Sequence, residues 1–188
     1  MTMVCAVHLM HDENCPIGIR AAPEEASCER EDSLMPSHLD EQSLVRANAQ
    51  FWEQMLGMQM DTVPFAEEFC VDPGHVLVSV GLFGNWNGRI EVRMARNLAD
   101  MATAAMLMQP VEAVVEADTL DATREIVNMI GGLLKSALPQ PCSMAVPESA
   151  IATERLCSVL HGENTLTVAF RHEVGGLLVR VREEKPAS

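Results

Sequence analysis

The sequence predicts an α+β fold in which helices pack on an antiparallel-rich β-sheet. Apolar residues recur with the helical period in three stretches, residues 43–58, 98–108 and 119–137. Residues 75–94 and several segments after residue 141 instead alternate apolar and polar side chains, as half-buried strands do. The elements follow one another as helix, strands, two helices and strands. This order suggests two related helix-plus-strands halves.

The negative charge of the chain is concentrated near its start. The 188 residues carry a formal charge of −14, and the first 41 hold nine acidic residues against two arginines. This stretch has no sustained apolar period, which is typical of a solvated segment. We therefore expect residues 1–41 to be an acidic, disordered N-terminal extension and residues 42–186 to form one domain.

Composition excludes several classes of protein. A chain that is 48% hydrophobic is too apolar for a disordered acidic polymer. The acidic balance argues against binding nucleic acid or an anionic membrane, because the protein would be repelled by phosphate groups. No stretch approaches the roughly 20 apolar residues of a spanning helix, and Arg20 is the first basic residue, so no signal peptide is predicted. We expect a cytoplasmic protein that meets a protein partner or a small ligand.

The six cysteines are scattered without a Cys-x-x-Cys pair, so a disulfide scaffold is not expected. Buried free thiols are the prediction for Cys70, Cys142 and Cys157. A separate group, with C-x2-H-x2-H-x3-C spacing, offers four potential zinc ligands: Cys5, His8, His11 and Cys15. Its spacing matches no established zinc module and it lies in the acidic extension, so a poorly ordered terminus is the favoured alternative.

The first half of the domain is predicted to be a helix followed by a hairpin. The helix at residues 43–58 ends near Gly57, and a short extended piece is expected at residues 61–65. Two strands follow within residues 75–94, and the Asn87-Gly88 dipeptide between them is expected to accept positive φ. Trp86, in the same loop, is predicted to fold back over the sheet.

After the hairpin, the sequence predicts further helices and the remaining strands of the sheet. A helix at residues 98–108 ends before Pro110, and its methionines are expected in the core or an interface. Later strands are predicted at residues 142–146, 154–160, 165–172 and 177–182, with turns at residues 161–164 and 173–176.

The helix predicted at residues 119–137 carries the most functional information. Asp118 precedes it as a candidate N-cap, with Asp121 in the capping-box position. One apolar stripe comprises Leu120, Ile126, Val127, Ile130, Leu134 and Ala137. A second stripe, at intervals of four and three residues, comprises Asp121, Glu125, Asn128, Gly132 and Lys135. Glu125 and Asn128 are thus neighbours on one helix face, with Cβ atoms about 5–6 Å apart.

Two glycines interrupt this helix, and each costs up to about 1 kcal/mol relative to alanine. Gly132 lies one turn beyond Asn128 on the same face, where it would keep side-chain bulk away from an approaching partner. The alternative is that Gly131 and Gly132 permit close packing against the protein's own sheet. Spacing alone does not favour either explanation.

The segment from Asp121 to Lys135, DATREIVNMIGGLLK, resembles the chemotaxis phosphatases of the CheC/CheX family, and the CheX-like branch most closely. The shared feature is a Glu-x-x-Asn pair in mid-helix followed by a glycine-containing turn, placed after the hairpin loop GNWNG (residues 84–88) and a helix. The order of predicted elements agrees from about residue 43 to residue 183. The resemblance implies a CheC/CheX-like fold.

The resemblance also implies an activity: a hydrolase that removes phosphate from the phosphoaspartate of a CheY-type response regulator in chemotaxis or two-component signalling. Asn128 would position the attacking water, and Glu125 would pair with a lysine of the regulator. Asp121, Gly132 and Lys135 would belong to the partner-binding face. The protein would need no cofactor of its own, because magnesium would be held by the regulator.

A homodimer formed through sheet edges is implied in the same way. Leu133 departs from the small or polar residue that many family members carry after the second glycine. The first helix lacks a second Glu-x-x-Asn pair, since Glu53 is followed three residues later by Leu56, which favours a single-site, CheX-like form. The competing hypothesis is a non-catalytic adaptor module on the same fold that only binds the receiver.

Overall fold

The computed structural model describes residues 39–63, 71–155 and 164–184. In these ranges it has three α-helices, one 3-10 turn and seven strands, and the predicted α+β class is confirmed. In chain order the elements are α1 (Glu41–Leu56), β1 (Asp61–Val63), β2 (Val76–Gly84), β3 (Gly88–Met94), α2 (Arg96–Leu107), the 3-10 turn (Val111–Ala113), α3 (Glu116–Lys135), β4 (Cys142–Met144), β5 (Glu148–Ile151), β6 (Thr165–His172) and β7 (Gly175–Glu183).

The strands form one sheet with the order β1-β6-β7-β3-β2-β4, and every described pairing is antiparallel. Strand β2 has β3 on one side. On its other side it pairs with two short strands in succession: β4 lies along its C-terminal end, and β5 lies along its N-terminal end. The three-residue step from β4 to β5, residues 145–147, therefore stays at the edge of the sheet.

The hydrophobic core lies between the helices and one face of the sheet. Alternate residues of β2 and β3 point into it, as the period-two pattern predicts. The helices contribute their apolar stripes, with Trp52 of α1 and Ile126 and Ile130 of α3 fully buried. The side chains of the predicted α3 stripe are buried or half-buried, which fixes which face of α3 points outward.

The two ends of helix α1 are determined by Asp40 before it and Gly57 after it. The carboxylate of Asp40 accepts hydrogen bonds from the backbone N–H of Ser43 at 2.7 Å and from its hydroxyl at 2.6 Å. These bonds hold the pKa of Asp40 below its usual value. At the other end Gly57 adopts a left-handed conformation, with φ of 65°, so the predicted stop near this glycine is confirmed.

The hairpin between β2 and β3 is confirmed, but its turn differs from the prediction. The positive φ lies at Gly84, at 132°, and not at Asn87-Gly88. A Cβ at Gly84 would lie 2.3 Å from the carbonyl oxygen of Pro141, so the loop approaches the chain after α3 too closely for a side chain. Trp86 folds back over Gly88, as predicted.

The prediction for the strands after α3 was correct for β4, β6 and β7 and wrong in between. Glu154 and Arg155 are not in a strand, and residues 156–160 lie outside the described residues. The strand in this region is β5, whose residues alternate between exposed and half-buried and so carry little apolar signal. Gly175 and Gly176, predicted in a turn, begin β7.

Several other predictions concern residues outside the described ranges. These include most of the extension, residues 1–38, with the candidate ligands Cys5, His8, His11 and Cys15, and also Cys70, Cys157 and the turn residues 161–163. The extension and the domain boundary at residue 42 stay predictions. Cys142 is described, and it is a buried free thiol as expected.

Candidate functional site

Helix α3 begins earlier than predicted, and Asp118 is not its N-cap. The helix starts at Glu116 after Val115, which makes no side-chain capping bond. Asp118 lies in the first turn, where a carboxylate is favoured by the helix dipole. The predicted capping box does not form, because the helix starts two residues before Asp118. Glu116, the first residue of the helix, pairs with Arg96 at 3.1 Å.

The start of α3 is held by α2. Asp100 accepts hydrogen bonds from Arg96 at 2.9 Å and from the hydroxyl of the buried Thr119 at 2.7 Å. Burial opposes the charge of Arg96, but its hydrogen bonds to Asp100 and Glu116 outweigh this, and the pKa of Arg96 is raised. This network sets the position of α3 without a side-chain cap.

The outward face of α3 carries the predicted pair. Glu125 is exposed and Asn128 is half-buried, whereas Ile126 and Val127 between them are fully buried. The pair is therefore presented on a helix whose opposite face is fixed in the core.

The two glycines of α3 have different surroundings. A Cβ at Gly131 would lie 2.7 Å from Sδ of Met144, so this glycine permits β4 to pack closely against the helix. Gly132 is exposed, and a Cβ there would meet nothing within 4 Å. Close packing against the protein's own sheet therefore explains Gly131 and does not explain Gly132.

The pair lines a shallow cleft of about 480 Å³. One wall is α3, and the other is the step from β4 to β5. The lining residues are Asp121, Arg124, Glu125 and Asn128 from the helix, Met144 from the end of β4, and Ala145, Val146 and Pro147 from the step. One wall is thus polar and charged, and the facing wall is apolar.

Arg124 connects the two walls. Its guanidinium pairs with Asp121 on the same helix and donates a hydrogen bond to the hydroxyl of Ser149, on β5, at 2.8 Å. That hydroxyl donates to the carbonyl oxygen of Leu120 at 3.1 Å. The network keeps a positive charge beside the carboxylate of Asp121, on the wall that also carries Glu125.

The cleft brings together three of the five predicted site residues: Asp121, Glu125 and Asn128. Gly132 and Lys135 lie further along α3, about 6 and 10 Å from Asn128 along the helix axis at 1.5 Å per residue, and do not line the cleft. Arg124 was not among the predicted site residues. Its spacing of three residues from Asp121, on the same helix face, was a usable signal.

Within residues 39–63, 71–155 and 164–184, no group of three or more His, Cys, Asp or Glu side chains is arranged to hold a metal ion. Over the same residues no helix is both long and apolar enough to cross a membrane.

Several chemotaxis proteins of solved structure share this fold. CheX from Vibrio vulnificus aligns with a TM-score of 0.60 and 18% identity over 77% of this chain and 95% of that one. CheX from Desulfovibrio desulfuricans aligns with a TM-score of 0.60 and 23% identity over 76% and 97% of the two chains. A CheX–CheY–BeF3–Mg²⁺ complex from Borrelia burgdorferi aligns with a TM-score of 0.56 and 17% identity over 77% and 97%.

These likenesses define the fold as the CheC/CheX type that the sequence predicted. The family model described as chemotaxis phosphatase CheX matches residues 76–171, just over half of the chain. The chain therefore belongs to the CheX family. A comparison with curated proteins finds no match.

Proposed function

We propose that this protein accelerates hydrolysis of the aspartyl phosphate of a CheY-type receiver. In the reaction a water oxygen attacks phosphorus, and the bond between phosphorus and the aspartate oxygen breaks. The products are the free carboxylate of the receiver and inorganic phosphate, which takes up the water's hydrogen and oxygen atoms. Because the acyl phosphate is already labile, catalysis consists mainly of placing the water in line with phosphorus.

The observation that carries the proposal is the position of Asn128 on the cleft-facing side of α3. A carboxamide oxygen accepts a hydrogen bond from the attacking water. Being neutral, the side chain adds no charge that would repel the anionic phosphoryl group. Its half-buried setting on a packed helix limits the orientations that it samples, which supports a positioning function.

We assign Glu125 to recognition of the receiver. Its exposed carboxylate, one helical turn from Asn128, is available to pair with a lysine of the partner. Such a pair would hold the helix in register over the phosphorylated aspartate. Magnesium is assigned to the receiver, in keeping with the Borrelia burgdorferi complex, in which Mg²⁺ accompanies CheX and CheY. A homodimer through sheet edges is part of the same proposal.

The test is loss of phosphate from a ³²P-labelled receiver encoded near this protein, with Mg²⁺ present. Wild-type protein is expected to shorten the phosphate lifetime, and Asn128→Ala to restore the spontaneous rate with the thermal midpoint nearly unchanged. Glu125→Gln is expected to raise KM more than it lowers kcat, because the carboxylate acts in recognition.

Asn97→Ala is the matched control for removal of an amide, because Asn97 is exposed in the first turn of α2, away from the cleft. It should leave the rate unchanged. If wild-type protein binds receivers but speeds none of them, the adaptor hypothesis replaces the phosphatase. If Asn128→Ala destabilises the fold and leaves the rate constant intact, the asparagine is structural.

A further inference from the structure

We propose that Val146 is an apolar anchor for the receiver, at the centre of a ridge formed by Met144, Ala145, Val146 and Pro147. This inference deepens the proposed function and rests on it. The partner feature that fits the ridge is an apolar side chain on the receiver surface beside the phosphorylated aspartate. The ridge would therefore help to determine which receiver is a substrate.

The exposure of Val146 is the first observation. Its side chain is 84% exposed, although it lines the same cleft as Asn128. A receiver that delivers its phosphoryl group to Asn128 therefore also covers Val146. Removing an exposed valine from water is favourable, because its apolar surface is transferred out of water when the receiver covers it.

The ridge is fixed on both sides, which is the second observation. Strand β4 before it and β5 after it both pair with β2, and the backbone N–H of Ala145 donates to the carbonyl oxygen of Gly81 at 2.9 Å. Met144 packs against Gly131 of α3. A preformed ridge loses little conformational freedom on binding, so its contact contributes more fully to affinity.

The charge of the facing wall is the third observation. Asp121 and Glu125 contribute two negative charges and Arg124 one positive charge, so the helix wall is net negative. An anionic phosphoryl group gains little from such a wall. An uncharged ridge supplies affinity without adding to the repulsion, and therefore suits a receiver as the occupant.

The experiment measures dephosphorylation kinetics for Val146→Ser and Val146→Asp. With a receiver that wild-type protein dephosphorylates, we expect KM to rise about threefold for serine and at least about tenfold for aspartate, while kcat stays within about twofold. Val111→Ser is the matched control, because Val111 is 44% exposed on the 3-10 turn and does not line the cleft. Its KM should equal that of wild type.

An unchanged KM in Val146→Asp would overturn the inference. So would a change in its sedimentation relative to wild type, because the ridge would then contact a second copy of the chain. If wild-type protein dephosphorylates no receiver, the proposed function fails first. In that case the anchor is tested by titrating wild type and Val146→Asp with a BeF3-loaded, Mg²⁺-bound receiver. Weaker binding by Val146→Asp supports the anchor, and equal or absent binding removes it.

Discussion

The guanidinium of Arg124 donates a hydrogen bond to the hydroxyl of Ser149 across 2.8 Å, and so joins helix α3 to strand β5. Arg124 lines the helix wall of the cleft that contains Asn128, and Ser149 lies on β5, which begins directly after the residues of the other wall. The helix wall and the ridge therefore keep their spacing through a side-chain link as well as through the core. The proposed activity depends on this spacing, since water must be placed in line with phosphorus to within a fraction of an ångström.

Replacing Ser149 with alanine tests this link. The change leaves Arg124 and the carbonyl oxygen of Leu120 without their shared partner, and we expect the free energy of unfolding to fall by about 1 kcal/mol. The catalytic efficiency kcat/KM should fall about threefold, because the spacing of the walls is less well held. Ser143→Ala on β4 is the control, since Ser143 is an exposed serine on the same sheet edge. If Ser149→Ala and Ser143→Ala lose the same free energy of unfolding and the same kcat/KM, the prediction is wrong.

The contact between α2 and the start of α3 leads to a second prediction. Thr119→Val removes the hydroxyl that donates to Asp100 and keeps the side-chain shape, so chemical denaturation should show a loss of about 1 kcal/mol. Thr123→Val is the control, because the hydroxyl of this equally buried residue bonds only to carbonyls of its own helix, at 2.7 and 3.2 Å. We expect that variant to be nearly neutral. The prediction fails if Thr123→Val costs as much as Thr119→Val.

The N-cap of α1 predicts a pH dependence. The pKa of Asp40 is lowered by its hydrogen bonds to Ser43, so the folded state favours the carboxylate. This stabilisation is present at neutral pH and is lost as pH falls below about 4 and through the folded-state pKa. Asp40→Asn keeps a capping oxygen that does not titrate. The thermal midpoint of wild type should therefore fall towards that of Asp40→Asn between about pH 5 and pH 3, and parallel curves would contradict it.

Long periodic segments made most of the fold predictable. Helix α3 extends over 20 residues, and burial alternates along β3 and along residues 76–83 of β2, so the helical and strand periods are each repeated several times. Strand β5 was missed because it has four residues, none of them fully buried, and owes its form to pairing with β2. The start of α3 was misplaced because its stabilising partners, Arg96 and Asp100, lie on another helix.

The candidate site was likewise predictable only in part. Glu125 and Asn128 were identifiable because they are three residues apart on one helix, and local spacing alone makes them neighbours. The ridge around Val146 was not identifiable. Its position beside Asn128 follows from the pairing of β4 and β5 with β2, a tertiary relationship that residue spacing does not contain.

The two glycines of α3 give a paired prediction on stability. Gly132→Ala should stabilise the protein by about 0.5–1 kcal/mol, because alanine favours the helix and its Cβ meets open space. Gly131→Ala should give no such gain, since its Cβ would force Met144 to move and crowding of this kind offsets the helix preference. Urea denaturation of both variants measures the difference. Equal gains would show that the approach of Met144 imposes no constraint.

The same two variants separate packing from partner contact when dephosphorylation is measured. If Gly132 keeps side-chain bulk away from an approaching receiver, Gly132→Ala should be more stable than wild type and yet have a KM raised by about threefold or more. A purely structural glycine does not produce this combination. A KM equal to that of wild type would remove Gly132 from the partner-binding face. Gly131→Ala should raise KM for a different reason, because displacement of Met144 moves the ridge beside Val146. Its effect should therefore diminish in a Val146→Ser background, whereas the effect of Gly132→Ala should not.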